Sequence, residues 1–448
     1  MWWDGKITRT FRCRLKQEPG ILGRLLAAIG EAGALIGEIR IITMGSTAMV
    51  RDITVYADDI GHVDRLVRII QGLPAVELLE VRDEVLEMHQ GGKIAIRSRY
   101  DISSLATLRR VYTPGVAEVS LKIKGDPSLA RRFTSIRHLV AIVTDGTAVL
   151  GLGDIGPLAA MPVMEGKASL LETLTGLSGM PILLNTKDPE EIIRTVIHIA
   201  PTFGAIQLED ISAPRCFEIE RRIQEAVDVP VMHDDQHGTA VVVTAALLNA
   251  AKIARVDLGK ARVGVIGLGA AGFALSKMLM FYFKGPILGA DIEPSALERL
   301  RQAGGAPSDL GTIMATADVV IATTGVPGLI KKEAVRKGQI ILALSNPTPE
   351  IEPGAAMEAG AAFAADGKSV NNVLGFPGIF RGAVDANVPR ITREMLIAAA
   401  EAIAGFAPAG DIVPNPLDKE LHKTVARAVA RAAVKQGLNR DDLTGYFD

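Results

Sequence analysis

The chain has 448 residues, with 49 lysines and arginines against 51 aspartates and glutamates, and it contains two cysteines. This length predicts two or three domains, and the near-balance of charge removes any whole-chain electrostatic case for a nucleic-acid or membrane partner. Two cysteines cannot form a disulfide framework or a four-thiolate zinc site, and the sequence has neither a signal-peptide core nor a charge-free run of membrane length, so we expect a cytoplasmic α/β enzyme.

The first segment, from about Lys6 to Glu87, is predicted to mix strands and helices. Ile7–Leu15 alternates polar and apolar residues with one break at Arg9, which is typical of a strand. The remaining predicted elements are a helix at 21–32, strands at 35–43 and 48–56, a helix at 61–73 and a strand at 76–82. This β-α-β-β-α-β order predicts a small ferredoxin-like α+β unit.

The same segment resembles an ACT domain, a small regulatory module. The resemblance rests on Glu18-Pro19-Gly20-Ile21-Leu22 and the helix that follows, and it covers roughly the first 85 residues. Residues 1–88 are therefore predicted to be an ACT-like regulatory domain, with a small effector as a candidate partner. A dimerising or packing module without a ligand is the alternative.

A stretch rich in charge and glycine, Glu84–Tyr100, is predicted to be a linker. After it, strands alternate with helices, which predicts a parallel sheet in a substrate and metal domain at 89–255. The strands are expected at 181–184, 205–208 and 230–232, and the helices at 189–199, 214–226 and 239–253. A second α/β unit begins at Ala261, so a Rossmann-type dinucleotide domain with C-terminal helices is placed at 256–448.

The strongest local motif is a glycine fingerprint. A predicted strand, Val263–Ile266, runs into Gly267-x-Gly269-x-x-Gly272 and then into a helix. The first glycine permits a tight turn, the second lets the backbone approach a pyrophosphate, and the third allows close packing of helix and strand. The free N–H groups of the first helical turn, with Ala270 and Ala271, would then face the phosphates.

Three polar residues at strand ends extend this predicted nucleotide site. Asp291 ends the next strand, 24 residues after Gly267, and an acid there can bind both ribose hydroxyls of NAD and repel a 2′-phosphate. Thr324 and Asn346 follow two further strands. We therefore predict NAD as the cofactor, with NADP as the alternative. Gly151–Gly156 has the same glycine spacing, but Pro157 follows at once, and we interpret it as a turn or an active-site loop.

Two predicted strands of the middle domain end in acids. Glu209 and Asp210 follow one strand, and Asp234 and Asp235 follow the other after a histidine. If these strands are parallel neighbours, four carboxylates converge, which costs several kcal/mol per buried group unless a cation lies among them. Oxygen ligands suit Mg²⁺ or Mn²⁺, and because histidines lie nearby in the sequence, zinc is an alternative metal. An exposed acidic loop, helix N-caps before a helix start at Thr239, or an ion-pair network would explain the acids without a metal.

Together with these features, further motifs resemble those of the malic enzymes. In chain order they are Tyr112-Thr-Pro-Gly115, Gly151–Gly156, Glu165-Gly-Lys167, the two acidic pairs, the glycine fingerprint, Ser345-Asn-Pro-Thr348 and Val370–Gly378. The resemblance covers about residues 95–435. Alone, the tyrosine would be an ordinary turn residue and the lysine an ordinary residue at a helix start.

The resemblance implies oxidation and decarboxylation of malate to pyruvate and CO₂, with NAD(P)⁺ and Mg²⁺ or Mn²⁺. It implies that Glu209, Asp210 and Asp235 are the metal ligands and that Asp234 lies close to Lys167. It also implies dimers or larger assemblies.

Further roles follow from the same resemblance. Lys167 would be the general base at the C2 hydroxyl and Tyr112 the acid at C3, while Asn346 and Asn371, with Lys167, would bind the substrate. Some family members carry an arginine where this chain has Gly146–Val149. Two alternatives stay open: a malolactic-type or oxaloacetate-decarboxylating enzyme, and a ligand-sensing regulator built on a degenerate enzyme.

Overall fold

The computed structural model describes residues 6–149, 151–368 and 370–447. The chain divides into two compact units, one up to Ala95 and one from Ile96 onward. The predicted boundary near residue 88 falls inside a short helix of the first unit, and the boundary between 255 and 256 stays a prediction.

The first unit has one antiparallel sheet in the order β2-β3-β1-β4. Phe11 and Cys13 of β1 point into the core with Leu25 and Leu66 of the two longer helices, because alternate residues of a strand face the same side. A third helix begins in the predicted linker, where the Asp83 side chain accepts a hydrogen bond from the N–H of Leu86. The elements are β1 Ile7–Lys16, α1 Ile21–Glu31, β2 Leu35–Met44, β3 Ala48–Ala57, α2 Ile60–Gln71, β4 Val76–Arg82 and α3 Glu84–His89.

The second unit begins with three short helices and then builds a four-stranded sheet. Its first elements are α4 Leu105–Val111, α5 Gly115–Gly125, α6 Ala130–Phe133, β5 Leu139–Thr144, α7 Pro157–Thr175, β6 Ser178–Leu183, α8 Pro189–Ile199, β7 Ala205–Leu208, α9 Arg215–Ala226, β8 Val231–His233 and α10 Asp234–Ala254. The strands are all parallel, in the order β6-β5-β7-β8.

A six-stranded sheet follows in the same unit. Its elements are β9 Val263–Ile266, α11 Ala270–Phe283, β10 Leu288–Ala290, α12 Pro294–Gln302, β11 Ala306–Pro307, α13 Leu310–Thr316, β12 Val319–Ala322, β13 Ile340–Ala343, α14 Pro353–Glu358, β14 Phe363–Asp366, α15 Phe376–Asp385, α16 Arg393–Phe406 and α17 Lys419–Lys435. The strands are parallel and ordered β11-β10-β9-β12-β13-β14. This is the doubly wound order of a Rossmann-type fold, with its switch point between β9 and β12. The predicted α/β architecture is confirmed.

Two local predictions of the middle region are wrong. Lys167 lies in the interior of the 19-residue α7, not at a helix start, because the helix begins ten residues earlier at Pro157, which suits a first helical position. The helix expected from Thr239 begins at Asp234, so Asp234 and Asp235 form its first turn, where acids are favoured by the helix dipole.

Among the described helices, α10 has the length and apolar composition of a membrane span. However, 67% of its most apolar window is buried inside the protein. Asn249, in its second half, donates hydrogen bonds to the carbonyl oxygens of Ala404 and Ile412. It is therefore packed as a core helix of the second unit.

Candidate active site

Strands β7 and β8 are parallel neighbours, with Leu208 paired to His233. The acids that follow these strands therefore meet at one edge of the sheet. Carboxylate oxygens of Glu209, Asp210 and Asp235 lie within 4.8 Å of one another. Asp210 donates its N–H to Asp235 Oδ2 at 2.8 Å, which joins the two strand ends directly.

Lys167 lies against this group of acids. Its Nζ is 3.0 Å from Glu209 Oε1, forms an ion pair with Asp234, and lies 4.4 Å from the centre of the Phe376 ring. The side chain is buried, as is that of Asp234. Helix α7 therefore brings one ammonium group to four carboxyl groups, which we name the acidic cluster: Glu209, Asp210, Asp234 and Asp235.

Burial and mutual repulsion weaken ionisation in the acidic cluster. Burial, with the neighbouring Asp235 and Glu209, raises the pKa of Asp210 to about 9. Burial also raises the pKa of Glu209 to about 7 and that of Asp235 to about 6, although Lys167 opposes both shifts. Burial alone lowers the pKa of Lys167, but Asp234 and Glu209 outweigh it and raise that pKa. Four acids therefore share one cation.

The donor set fits a divalent metal ion. Asp210 Oδ2 is buried and has no hydrogen-bond partner in the part of the chain that the structure describes. Three oxygen donors close to each other, with one of them unpartnered, suit Mg²⁺ or Mn²⁺. The group of candidate ligands found among the described residues contains no histidine or cysteine, which zinc prefers.

The backbone of Asp210 is held in an unusual conformation. Its φ is +53°, in the left-handed region that few non-glycine residues adopt. The N–H groups of Thr147 and Ala148 donate to its carbonyl oxygen at 3.1 and 2.9 Å. Arg215 holds this loop in turn, because its guanidinium group donates to Thr147 Oγ1 and to the buried Asp145. Neither Arg215 nor Asp145 was predicted, since nothing in their local sequence distinguishes them.

A second support lies behind Asp234. A methyl group added at Gly238, one turn along α10, would overlap Asp234 Oδ1, so the glycine leaves room for the carboxylate. The buried Glu220 accepts hydrogen bonds from the N–H of His233 at 2.8 Å and from His237 Nε2 at 3.0 Å. Glu220 was also missed, although its position on an inward face of α9 follows from the helical spacing of Cys216, Glu220 and Ile223.

The glycine fingerprint has the predicted geometry. Gly267 has a φ of +88°, and a side chain there would meet the carbonyl oxygen of Thr323 at 2.7 Å. A methyl group at Gly272 would overlap the carbonyl oxygen of Gly267, whereas nothing lies within 4 Å of the corresponding position at Gly269. The space above Gly269 is therefore open, and Ala270 begins α11 directly after it.

The other residues predicted for the nucleotide site lie at the carboxyl ends of their strands. Asp291 accepts hydrogen bonds from the N–H groups of Leu268, at 2.6 Å, and Glu293, at 2.9 Å. The N–H and hydroxyl of Thr324 donate to Glu350, at 2.7 and 2.9 Å. Glu350 is fully buried and was not predicted. It also accepts from Ser345, so one carboxylate orders two strand ends beside the switch point.

We expect Gly272→Ala to weaken NAD⁺ binding at least about tenfold, because α11 would have to move away from β9 and the pyrophosphate depends on the helix N-terminus. Calorimetric titration of NAD⁺ measures the effect. Gly285→Ala is the matched control, since its added methyl group would come no closer than 3.9 Å to another atom. Equal dissociation constants for the two variants would contradict the assignment.

Three predicted site residues are less enclosed. Tyr112 follows α4, and 67% of its surface is exposed. Within the described ranges its phenol has no hydrogen bond to the acidic cluster. Asn371 is exposed and accepts a hydrogen bond from the N–H of Val373 at 3.0 Å. Asn346 is half-buried after β13.

A Rossmann-type sheet and a buried lysine-carboxylate site in one compact unit define a nucleotide-dependent oxidoreductase with room for a divalent metal. Family models agree: one for the malic enzyme N-terminal domain matches residues 95–224, and one for the malic enzyme NAD binding domain matches residues 360–436. The chain belongs to the malic enzyme family.

The relatives cover four fifths or more of the chain. NAD-dependent malic enzyme 1 of Bacillus subtilis is 55% identical over 428 residues, which are 95% of this chain and 98% of the relative. The bifunctional malic/malolactic enzyme of the same organism is 41% identical, over 81% of this chain and 95% of its own length. The solved malic enzyme of Pyrococcus horikoshii is 40% identical with a TM-score of 0.76, over 81% of this chain and 92% of that one.

Proposed function

We propose that the protein oxidises malate and decarboxylates it to pyruvate and CO₂ with reduction of NAD⁺. The observation that carries this proposal is the acidic cluster with Lys167 3.0 Å from Glu209, in a chain 55% identical to an NAD-dependent malic enzyme. Asp291 at the end of β10 supports NAD over NADP, because its carboxylate would repel the 2′-phosphate of NADP.

Glu209, Asp210 and Asp235 would hold Mg²⁺ or Mn²⁺. When bound, such an ion supplies Lewis acidity at the C2 oxygen of the substrate. The unpartnered Asp210 Oδ2 and the raised pKa values of these acids support this assignment, since a cation among them relieves their repulsion.

Lys167 is proposed as the group that takes the proton of the C2 hydroxyl. Neutralising the acidic cluster lowers the pKa of an ammonium group that the acids otherwise hold protonated, so Nζ can accept a proton. A bound NAD⁺ would supply the acceptor for the hydride at C2. Tyr112 would donate its phenolic proton to C3 after CO₂ leaves, and Asn346 and Asn371 would bind the substrate carboxylates.

A steady-state assay with malate tests the reaction. We expect NADH and pyruvate in equal amounts, with NAD⁺ preferred over NADP⁺ and no turnover in a chelator. The similarity to a bifunctional malic/malolactic enzyme supports a second candidate, a malolactic reaction. Lactate formed without net NADH would favour that reaction, and neither product would contradict both.

The first unit is proposed to be a ferredoxin-like, ACT-like regulatory module for a small effector. Its β-α-β-β-α-β element order and the strand order β2-β3-β1-β4 support this assignment.

Deleting residues 1–95 is expected to leave malate turnover within about threefold, since the acidic cluster and the fingerprint lie in the second unit. The deletion should change the oligomeric state or the response to effectors. Loss of all metal binding would contradict this proposal.

A homodimer or larger assembly is proposed for the second unit. No side chain in residues 96–133 is fully buried, and the segment exposes 90% of Ile96 and 76% of Leu105. Covering these apolar groups with a second copy would also enclose Tyr112. Sedimentation equilibrium should give at least twice the chain mass of 47.5 kDa.

The cytoplasm is the proposed location, in keeping with two free, buried cysteines.

A further inference from the structure

A cleft of about 730 Å³ lies beside the acidic cluster, on the side of α10 that carries Gln236 and His237. Its walls come from α9, the start of α10, α11, α12 and α16. It is distinct from the pyrophosphate position at the start of α11. Lys277, which lines the cleft, follows Ala270 by seven residues, or about 10 Å along the helix axis.

Four cationic side chains line this cleft: Arg221, which pairs with Glu225, and three from other helices, Lys277, Arg299 and Arg393. None of the three forms an ion pair with a carboxylate in the ranges that the structure describes. Arg299 Nε is buried and has no hydrogen-bond partner there. Burial lowers the pKa of Lys277, and the neighbouring Arg393 and Arg299 lower it further although Glu220 opposes them. Glu220 lies close enough to Lys277, and Asp291 to Arg299, to oppose the lowering of those pKa values, but neither acid forms an ion pair with them in the described part of the chain.

Two acids also line the cleft, Glu218 and Glu220. Glu220 accepts hydrogen bonds from His237, Gln236 and the backbone of His233. Glu218 lies 3.5 Å from Arg222, a residue outside the lining. Four cationic side chains against two acids leave the lining with a net positive charge, which favours an anionic ligand.

Aromatic rings fix the position of Arg299. Its guanidinium carbon lies 4.6 Å from the centre of the Phe217 ring and 5.0 Å from that of Phe273. Lys277 Nζ lies 5.0 Å from the same Phe273 ring. Rings that hold the cations in place reduce the entropy lost on binding, and guanidinium groups match the several oxygens of a phosphate.

We propose that this cleft binds a small multivalent phosphate anion through Lys277, Arg299 and Arg393. The site adjoins both parts of the active centre. Arg299 Nη2 donates to the carbonyl oxygen of Leu268 in the glycine fingerprint at 3.1 Å, and Glu220 in the cleft wall accepts the N–H of His233 just before Asp234. A bound anion would therefore contact groups that support the nucleotide loop and the acidic cluster. An anion at this position could act as an effector, because it would bind next to both parts of the active centre.

Calorimetric titration of pyrophosphate into the full chain tests the proposal. The titration is done in EDTA with saturating NAD⁺, so that the nucleotide-phosphate position is filled and no metal complexes the probe. We expect one site per chain whose affinity falls with added salt. Lys277→Gln and Arg393→Gln should each raise the dissociation constant at least about fivefold, and the double variant more.

Lys332→Gln is the matched control, since it removes one positive charge from an exposed lysine of the same sheet domain that is paired with Glu358. Its dissociation constant should equal that of the unchanged protein. Unchanged binding in both cleft variants would overturn the proposal, as would loss of all pyrophosphate binding when NAD⁺ saturates the protein. Binding of succinate at this cleft without binding of pyrophosphate would overturn the choice of a phosphate.

Discussion

Replacing Lys167 with glutamine is expected to lower malate turnover by about 10²–10⁴-fold, the usual contribution of a general base. Lys167 carries the ammonium group that contacts Glu209 and Asp234 in the acidic cluster. In a chelator the variant should also unfold more readily, because removing one partner of a buried ion pair costs about 3–5 kcal/mol. Turnover is measured at saturating malate, NAD⁺ and Mn²⁺, and unfolding by urea titration.

Lys187→Gln is the control for this prediction. That lysine is exposed and pairs with Asp154, so its loss should change neither turnover nor the free energy of unfolding by much. Turnover of Lys167→Gln within threefold of the unchanged protein would contradict a catalytic role.

Asp210→Asn is expected to have opposite effects on activity and on stability. Loss of a proposed ligand should raise the metal concentration required for turnover at least about 100-fold, since even residues that only support a ligand contribute 10–100-fold to metal affinity. Asparagine tolerates the left-handed backbone of Asp210, so the turn should remain. In a chelator, however, the variant should be more stable than the unchanged protein at alkaline pH.

The sign of the stability effect follows from the raised pKa of Asp210, which burial shifts to about 9. Between about pH 4, where an exposed aspartate ionises, and pH 9, the folded chain retains a proton that the unfolded chain has lost. The free energy of unfolding therefore falls as pH rises through this interval, and asparagine removes that contribution.

Urea unfolding in EDTA at pH 6 and pH 8.5 measures the difference. The advantage of Asp210→Asn should be larger at pH 8.5, and added Mn²⁺ should stabilise only the unchanged protein. Asp154→Asn, at an exposed carboxylate paired with Lys187, should show no such pH dependence. A variant that is less stable at pH 8.5 than the unchanged protein would contradict the prediction.

Sequence patterns predicted much of the fold because they report local physics. The predicted strands Val263–Ile266 and Ala205–Leu208 have those bounds in the structure, since buried parallel strands form short continuous apolar runs. Strand β5 and the true start of α7 were not predicted. The buried side chains of α7 share one face, but apolar residues such as the exposed Leu158 also lie outside it, so its sequence lacks a clear amphipathic period.

The candidate site was predictable where residues follow strand ends. The acidic cluster and Asp291 were found because carboxyl ends of parallel strands share one edge of a sheet. Arg215, Glu220 and Glu350 could not be found that way. Each acts through contacts with residues elsewhere in the chain. Arg215, for example, contacts Asp145, which lies 70 residues away in sequence, and such pairings depend on tertiary packing.

Helix α10 carries a constraint on how this chain can vary. Its first turn holds Asp234 and Asp235, while Asn249 fixes its other half to the backbone of Ala404 and Ile412. One residue inserted between these points would rotate one end against the other by about 100°. Insertions and deletions among related chains should therefore fall outside α10, and the number of residues between Asp235 and Asn249 should be constant.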